Sequence, residues 1–390
     1  HRTHKPGVGG STPPPATMEY IIKVIKKFLQ NTFKKIFYSI FKIFYGEIAT
    51  SIKVNEDNRI KLKNICLEEN LNYKIYFIKE SRLYTDRIHD TAIIIDNKIV
   101  DGPSFQLRKN LANSKVNENI VFEKGTARIV RKLNGSVMSL LTGGGGNSNY
   151  WHWLFDVLPR LKICEKVKNL ESINYFLFPG LEEKFQKETL KILGFPEEKL
   201  LSSKNYRHIK ANEIIVSDHP YMFTNDPHSD AQKIPLWIIK WLKEKFLKNH
   251  RKLEPNNLKK IYIDRSDSKS NIAHLRTLKN ENEVRAFLLG KGFSLIRLSE
   301  LSFSNQVKLF NDAECIVGLH GSGFANLPFC EPKTKVIEFR NFTSGPIIGN
   351  IAKKINLNYS SIVADNKDTK FGIQQGHIHV SIEQLAKLIN

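Results

Sequence analysis

The chain is poor in cysteine. Its four, Cys66, Cys164, Cys315 and Cys330, form no C-x-x-C pair. Their wide spacing argues against a zinc site and a disulfide framework, and reduced thiols in a cytoplasmic protein are the simplest expectation. No uncharged run approaches the ~20 residues that a membrane-spanning helix needs. Lysines interrupt the first apolar stretch, which argues against a secretory signal. The glycine-rich turn at 318–323 is not a P-loop, and His320 at its centre rules out a nucleophile elbow. No internal repeat is visible. Negative charge is also scarce: 39 Asp+Glu stand against 60 Lys+Arg, a balance of +21 over 390 residues. Such a balance attracts nucleic acid, anionic lipid or phosphate-bearing substrates. The lysines are scattered or gathered in one N-terminal helix, and no RNA or DNA motif accompanies them. No nucleic-acid partner is therefore expected.

What is present falls into segments. Residues 1–17, with Pro13-Pro14-Pro15, read as a remnant of an expression tag, and Met18 as the native start. Met18–Tyr45 carries Lys23, Lys26, Lys27, Lys34, Lys35 and Lys42 within roughly 180° of a helix, opposite Ile, Phe and Leu. That pattern predicts a basic amphipathic helix, spanning 18–46, that lies on an anionic membrane surface; a helix packed on protein is the alternative. Residues 47–250 read as a mixed α/β unit. Strands are expected at Tyr73–Ile78, Ala92–Ile95, Asn119–Phe122, Ala127–Ile129, Phe176–Phe178 and Glu213–Val216. Helices are expected at Leu181–Leu193 and Ala231–Asn249. The polar stretch Lys252–Asn257, with Pro255, marks a boundary.

From 257 to 365 apolar strands alternate with helices: Lys260–Ile263, Asn280–Leu289, Phe293–Leu298, Ser304–Asn311, Cys315–Gly318 and Lys335–Phe339. This alternation predicts a parallel sheet covered on both faces. Ligands on such sheets bind beyond the carboxyl ends of the strands. Two distinctive stretches lie there, Asp264-Arg265-Ser266-Asp267 and Gly318-Leu319-His320-Gly321-Ser322-Gly323-Phe324-Ala325-Asn326. The second places a glycine turn before an expected helix at Phe324–Phe329, where unpaired N–H groups suit an anion. Residues 366–390 end in a helix, Ile382–Ile389, expected to pack back over the domain junction.

A third stretch follows four glycines, Gly143–Gly146. In Asn149-Tyr150-Trp151-His152-Trp153-Leu154-Phe155-Asp156, the His and the Asp are four apart and share a helical face. Either could serve as a general base, and the residues alone leave the choice open.

Together these stretches resemble glycosyltransferase family 61, which includes plant pentosyltransferases, O-linked N-acetylglucosamine transferases and bacterial capsule enzymes. The matching pieces are 149–156, Tyr262-Ile263-Asp264-Arg265, Asn280-Glu281 with Glu283, Gln306, 318–326 and Val336-Ile337-Glu338. The resemblance implies a GT-B fold, two Rossmann-like domains facing across a cleft, the second holding a nucleotide sugar. It also implies an inverting transfer without an essential metal or other cofactor. The sequence has no D-x-D to hold a divalent ion, and its E-x-E, Glu281 and Glu283, is expected to be solvated on a helix. Ser322 stands where many members have Ala, and Arg276 is the nearest candidate for a second arginine.

The expected function is transfer from a nucleoside diphosphate sugar, UDP-linked by preference, to a glycan or glycolipid hydroxyl in cell-surface polysaccharide synthesis, on the inner face of the membrane. A non-catalytic nucleotide-sugar or nucleic-acid-binding protein is the alternative. Without a metal, the departing diphosphate must be met by cations and helix amides. Arg265 and the Gly321, Ser322, Gly323 and Phe324 amides are assigned to it, with His320 either a further contact or a residue that stabilises the turn. An ion pair of Arg265 with Asp264 or Asp267 is the competing role. Asn326 either fixes the turn or touches ligand, and Glu338 either accepts from ribose hydroxyls or is structural.

Overall fold

The computed structural model describes residues 18–85, 91–104, 116–141, 148–224, 226–247, 257–266, 276–364 and 376–390. The expected tag segment at 1–17, the whole glycine run at 143–146, Asp267 and most of the expected boundary at 252–257 lie outside them.

The N-terminal half is built on strands β1 (Thr50–Ile52), β2 (Ile60–Glu68), β3 (Leu71–Thr85), β4 (Thr91–Ile95), β5 (Lys98–Val100), β6 (Arg131–Ser139), β7 (Tyr175–Phe178), β8 (Leu200–Ser202) and β9 (His208–Ser217). They form one mixed sheet in the order β1-β5-β4-β3-β9-β6-β7-β8, with β2 paired to β3. The expectation of a Rossmann-like first domain is corrected in part. β6, β7, β8 and β9 pair in parallel, but β3 runs antiparallel to β2, β4 and β9. The β4–β5 hairpin turns on Asp96 and Asn97, both at positive φ, residue types that tolerate the left-handed geometry of a tight hairpin.

The C-terminal half holds β10 (Lys260–Ile263), β11 (Ser294–Ile296), β12 (Cys315–Leu319), β13 (Lys335–Asn341) and β14 (Asn358–Ala364). All four neighbouring pairs are parallel, in the order β11-β10-β12-β13-β14. Helices Glu281–Gly290, Phe303–Asp312 and Ile347–Lys354 make the crossovers. Ser302 caps the second by accepting from the Asn305 amide. The chain steps to one side after β10 and to the other at β12, so the strand order reverses between them. That reversal opens a crevice at their carboxyl ends.

The halves share a core. Trp153, Phe155, Trp237, Trp241, Phe246, Phe303, Phe310, Phe324 and Phe329 belong to one buried cluster. Phe303 meets Phe246 edge-on at 4.8 Å and Phe329 at 5.9 Å.

Several local expectations are corrected. Asn119–Phe122 is no strand; Asn119 caps the helix Ile120–Lys124. Ala127–Ile129 forms no strand. The long helix at 231–249 is two, Pro227–Ala231 and Leu236–Leu247, because Pro235 has no N–H to continue the first. Phe324–Phe329 belongs to a 3-10 helix, Ser322–Phe329. Helix Ile382–Ile389 packs on helix Glu281–Gly290 and β14 rather than across the junction. Met18–Tyr45 is one helix, and no described helix is long and apolar enough to cross a membrane.

Candidate active site

Two groups of side chains gather where the halves meet. The first lies beyond β10 and β12. Ile263 pairs with Gly318, so Asp264-Arg265 and Leu319-His320 leave the sheet side by side. The Arg265 guanidinium donates from Nη1 to the His320 carbonyl at 2.8 Å, and Arg276 Nη1 donates to the same oxygen. Burial, then the charge of Arg265, lowers Arg276 to about 10. Two cations held this close repel each other, and an anion between them relieves the repulsion. The competing role for Arg265 fails for Asp264. That carboxylate is buried and accepts instead from Arg285 Nη2 at 2.7 Å and the Ser266 amide at 2.9 Å.

The glycine turn is shaped to admit Arg265. A Cβ on Gly321 would stand 3.1 Å from Arg265 Nη1, and one on Gly323 would stand 3.1 Å from Ile263 and Leu298. Its expected anion donors divide. Ser322 and Gly323 line a cleft of about 360 Å³ together with Arg265, Asp264, Asn149 and Tyr150. Gly321 and Phe324 do not: the Phe324 amide donates to the Gly321 carbonyl at 3.2 Å and its ring is fully buried.

His320, Asn326 and Glu338 lie beneath the turn. Glu338 is fully buried; its two carboxylate oxygens pair with His320 Nδ1 and the Tyr359 hydroxyl. Burial, then the Glu338 charge, pushes that hydroxyl up. Asn326 accepts from the Tyr150 hydroxyl at 2.6 Å and donates to Gln306 Oε1 at 3.1 Å and the Gly323 carbonyl at 3.2 Å. It therefore fixes the turn and ties it to the other half of the chain.

The second group lies on the helical segment that begins at Asn149, whose side chain caps it by accepting from the Trp151 amide. A wide turn follows, in which the Leu158 amide donates to the Trp153 carbonyl. Pro159 offers no N–H to Phe155 and its ring would press on that carbonyl, so the helix widens there. Asp156, on this turn, is buried. Its Oδ2 pairs with His152 Nδ1 at 2.7 Å, and its Oδ1 accepts from the Tyr221 hydroxyl. His219 accepts at Nδ1 from the Tyr221 and Met222 amides, which leaves its proton on Nε2, 3.7 Å from Asp156.

Burial alone would raise Asp156, but His152 and His219 hold it well below the usual carboxylate range. Burial alone would lower His152, and Asp156 overrides it, so the imidazole is raised. Burial lowers His219 to about 4, so it is neutral near pH 7. Arg160, fully buried and lowered by burial to about 10, donates to the Asp218 carbonyl at 3.0 Å. The outcome is an ionised carboxylate orienting a half-exposed imidazole through Nδ1, the arrangement that makes Nε2 a base.

Sequence reasoning missed Tyr221, His219 and Tyr359; the first two reach Asp156 from the segment just past β9 and the third reaches Glu338 from β14, and none carries a local signal. It also took Glu281 for a solvated residue; Glu281 is half-buried and accepts from the Tyr262 hydroxyl at 2.8 Å. His152 and Asp156 do not line the cleft at Arg265, although Tyr150, two residues before His152, does.

Compared with known proteins, residues 150–337 match the family model described as Glycosyltransferase 61. The match includes every residue of both groups except Asn149, Glu338 and Tyr359. No curated protein matches. Among solved structures, a flavo di-iron protein variant from Thermotoga maritima aligns over 80% of this chain and 96% of its own, at 11% identity and a TM-score of 0.22; so slight a likeness carries no argument.

Proposed function

We propose, for a chain made a glycosyltransferase by its family 61 domain, an inverting transfer from a nucleoside diphosphate sugar to a hydroxyl of a glycan or glycolipid. The observation that carries this reading is the meeting of Arg265 and Arg276 at the His320 carbonyl, in the crevice beyond β10 and β12. The diphosphate sits against both guanidiniums and the Ser322 and Gly323 amides at the cleft wall. Their charge takes the place that a divalent ion fills in D-x-D enzymes, so no metal is required. His320, held by Glu338, and Asn326, held by Tyr150, keep the turn in register with that charge.

His152 is the base and Asp156 its orienting partner. As the acceptor oxygen attacks the anomeric carbon from the face opposite the diphosphate, His152 Nε2 takes the hydroxyl proton. The bond from that carbon to the diphosphate oxygen breaks, and its electron pair leaves with the nucleotide. Configuration inverts because attack and departure are in line. The cleft at the junction brings the two halves to one substrate in the manner of a GT-B enzyme.

The basic helix Met18–Tyr45 rests on the anionic inner face of a membrane and brings the cleft to a lipid-bound or growing polysaccharide, as in capsule or lipopolysaccharide assembly. A panel of nucleotide sugars, assayed in a chelator, tests the reading. Turnover of one donor, UDP-linked by preference, supports it, and turnover that appears only on adding a divalent ion contradicts the metal-free mechanism.

A further inference from the structure

The N-terminal helix is tied to the rest of the chain at its last turn. There the Tyr45 hydroxyl accepts from the Val130 amide at 3.0 Å, its ring meets His208 edge-on at 5.2 Å, and the Arg82 guanidinium lies over it at 5.7 Å. Phe33, Phe37, Phe41 and Tyr45 recur every four residues and so share one face of the helix. Phe37 and Phe41 stack at 6.3 Å, Phe41 and Tyr45 at 5.7 Å. Before Tyr45 this aromatic stripe does not close on the sheet. A cavity of about 600 Å³ lies between it and a rim that includes Arg128, Arg131, Lys204 and Arg207, and Lys34 adds a fifth cation from the helix.

Among the described residues, no carboxylate lines the cavity. Lys204 reaches Glu182 at 3.2 Å, Arg207 Nε donates to the Lys204 carbonyl at 3.3 Å and the Arg131 guanidinium lies 4.8 Å from the Tyr206 ring, so these rim cations are held in place. One wall is thus aromatic and the other cationic. Such a pair of walls suits an amphiphile whose head carries a phosphate and whose tail is apolar. A soluble phosphate would satisfy the arginines and leave the phenylalanines wet. The apolar surface continues around the helix: Phe28, Ile43 and Phe44 are 68%, 83% and 75% exposed.

We propose that this groove seats the phosphate headgroup of an anionic membrane phospholipid, with the acyl chains along the Phe33-Phe37-Phe41 stripe. The proposal rests on the membrane reading of the helix and adds to it a site. The protein reads the headgroup by fixed cations on the sheet rim as well as by the scattered charge of the helix. The groove lies apart from the cleft at Arg265 and shares no lining residue with it.

The test is flotation of the full chain on phosphatidylcholine vesicles with and without phosphatidylglycerol. Wild type should bind only the anionic vesicles. Arg128→Glu/Arg131→Glu should weaken that binding about thirtyfold or more, on the scale of two basic contacts at an anionic surface. Lys61→Glu/Lys353→Glu, an equal charge change on exposed residues outside the groove, should cost less than about threefold. Lys34→Glu probes the groove from the helix side and spares the sheet; it should also weaken binding beyond the effect of one control charge. If wild type binds neither vesicle, the membrane reading fails and this inference with it. If wild type binds and both double variants lose affinity equally, the membrane reading stands and the groove is refuted. Inorganic phosphate that raises the Tm of wild type and not of Arg128→Glu/Arg131→Glu, without lipid, would show a soluble anion as occupant and refute the phospholipid.

Discussion

Asp156→Asn changes one atom and separates the two roles in the imidazole–carboxylate pair. In the wild type one oxygen of Asp156 accepts from Tyr221 and the other faces His152 Nδ1 at 2.7 Å. If the Asn oxygen keeps Tyr221, its NH2 faces His152, and two donors cannot share that contact. His152 must then carry its proton on Nε2, the nitrogen assigned to take the acceptor proton. Loss of an oriented general base is worth about 10²–10⁴ in rate, so turnover should fall by that factor while donor KM changes little.

The pH profile gives a second readout. The base must be neutral, so wild-type rate rises with pH through the His152 pKa, which Asp156 raises above its ordinary 6.5. In the Asn variant that charge is gone and burial remains, so the acidic limb of the residual rate moves to lower pH. The assay is single-donor turnover across pH, with the fold checked by circular dichroism. His152→Ala should lose a similar factor, and the double variant little more, because the two residues act as one unit. A folded Asp156→Asn protein within about threefold of wild type, against the 10²–10⁴ expected of a lost base, would refute the assignment.

Arg265→Ala should lower turnover by about 10² or more, the scale of one transition-state charge contact, and Arg276→Ala should do likewise; wild-type rates in steady-state kinetics would remove them from the site. Tyr150→Phe leaves Asn326 Oδ1 without its partner across the junction, so chemical denaturation should show a loss of about 1–3 kcal/mol. Removing Met18–Tyr45 should abolish flotation on anionic vesicles and leave turnover of a soluble acceptor intact.

The parallel half was legible because its signals are local. Short apolar runs such as Cys315–Leu319 alternate with helices, and Ser302 announces the start of one of them by its capping side chain. Where expectation failed, a local cue was overruled or overlooked. Asn119 and Gly125 bracket Ile120–Lys124 as cap and positive-φ stop, but Ile and Val in that segment suggested a strand. Pro235 marks the break between Pro227–Ala231 and Leu236–Leu247. The antiparallel pairing of β3 with β9, Ile75 against Ser217, joins residues too far apart for any short pattern to show.

The site divides in the same way. His152 and Asp156 announce themselves by four-residue spacing, and Arg265 and Ser322 by their places at strand ends. The sequence left open which of His152 and Asp156 is the base; partners from elsewhere in the fold favour His152. His152 and His219 keep the buried Asp156 ionised and Tyr221 holds its other oxygen, which suits it to orient rather than to exchange protons. Glu338 likewise has both oxygens engaged by His320 and Tyr359, which favours a positioning role over one on the ribose.

The central claim is that two arginines and a glycine turn hold the donor diphosphate. A crystal structure of the chain with a uridine diphosphate sugar, grown in a chelator, tests it most directly. The account predicts diphosphate density against Arg265, Arg276 and the Ser322 and Gly323 amides, with the anomeric carbon open towards His152. A nucleotide bound elsewhere, or one that binds only with a divalent ion at the diphosphate, would contradict it.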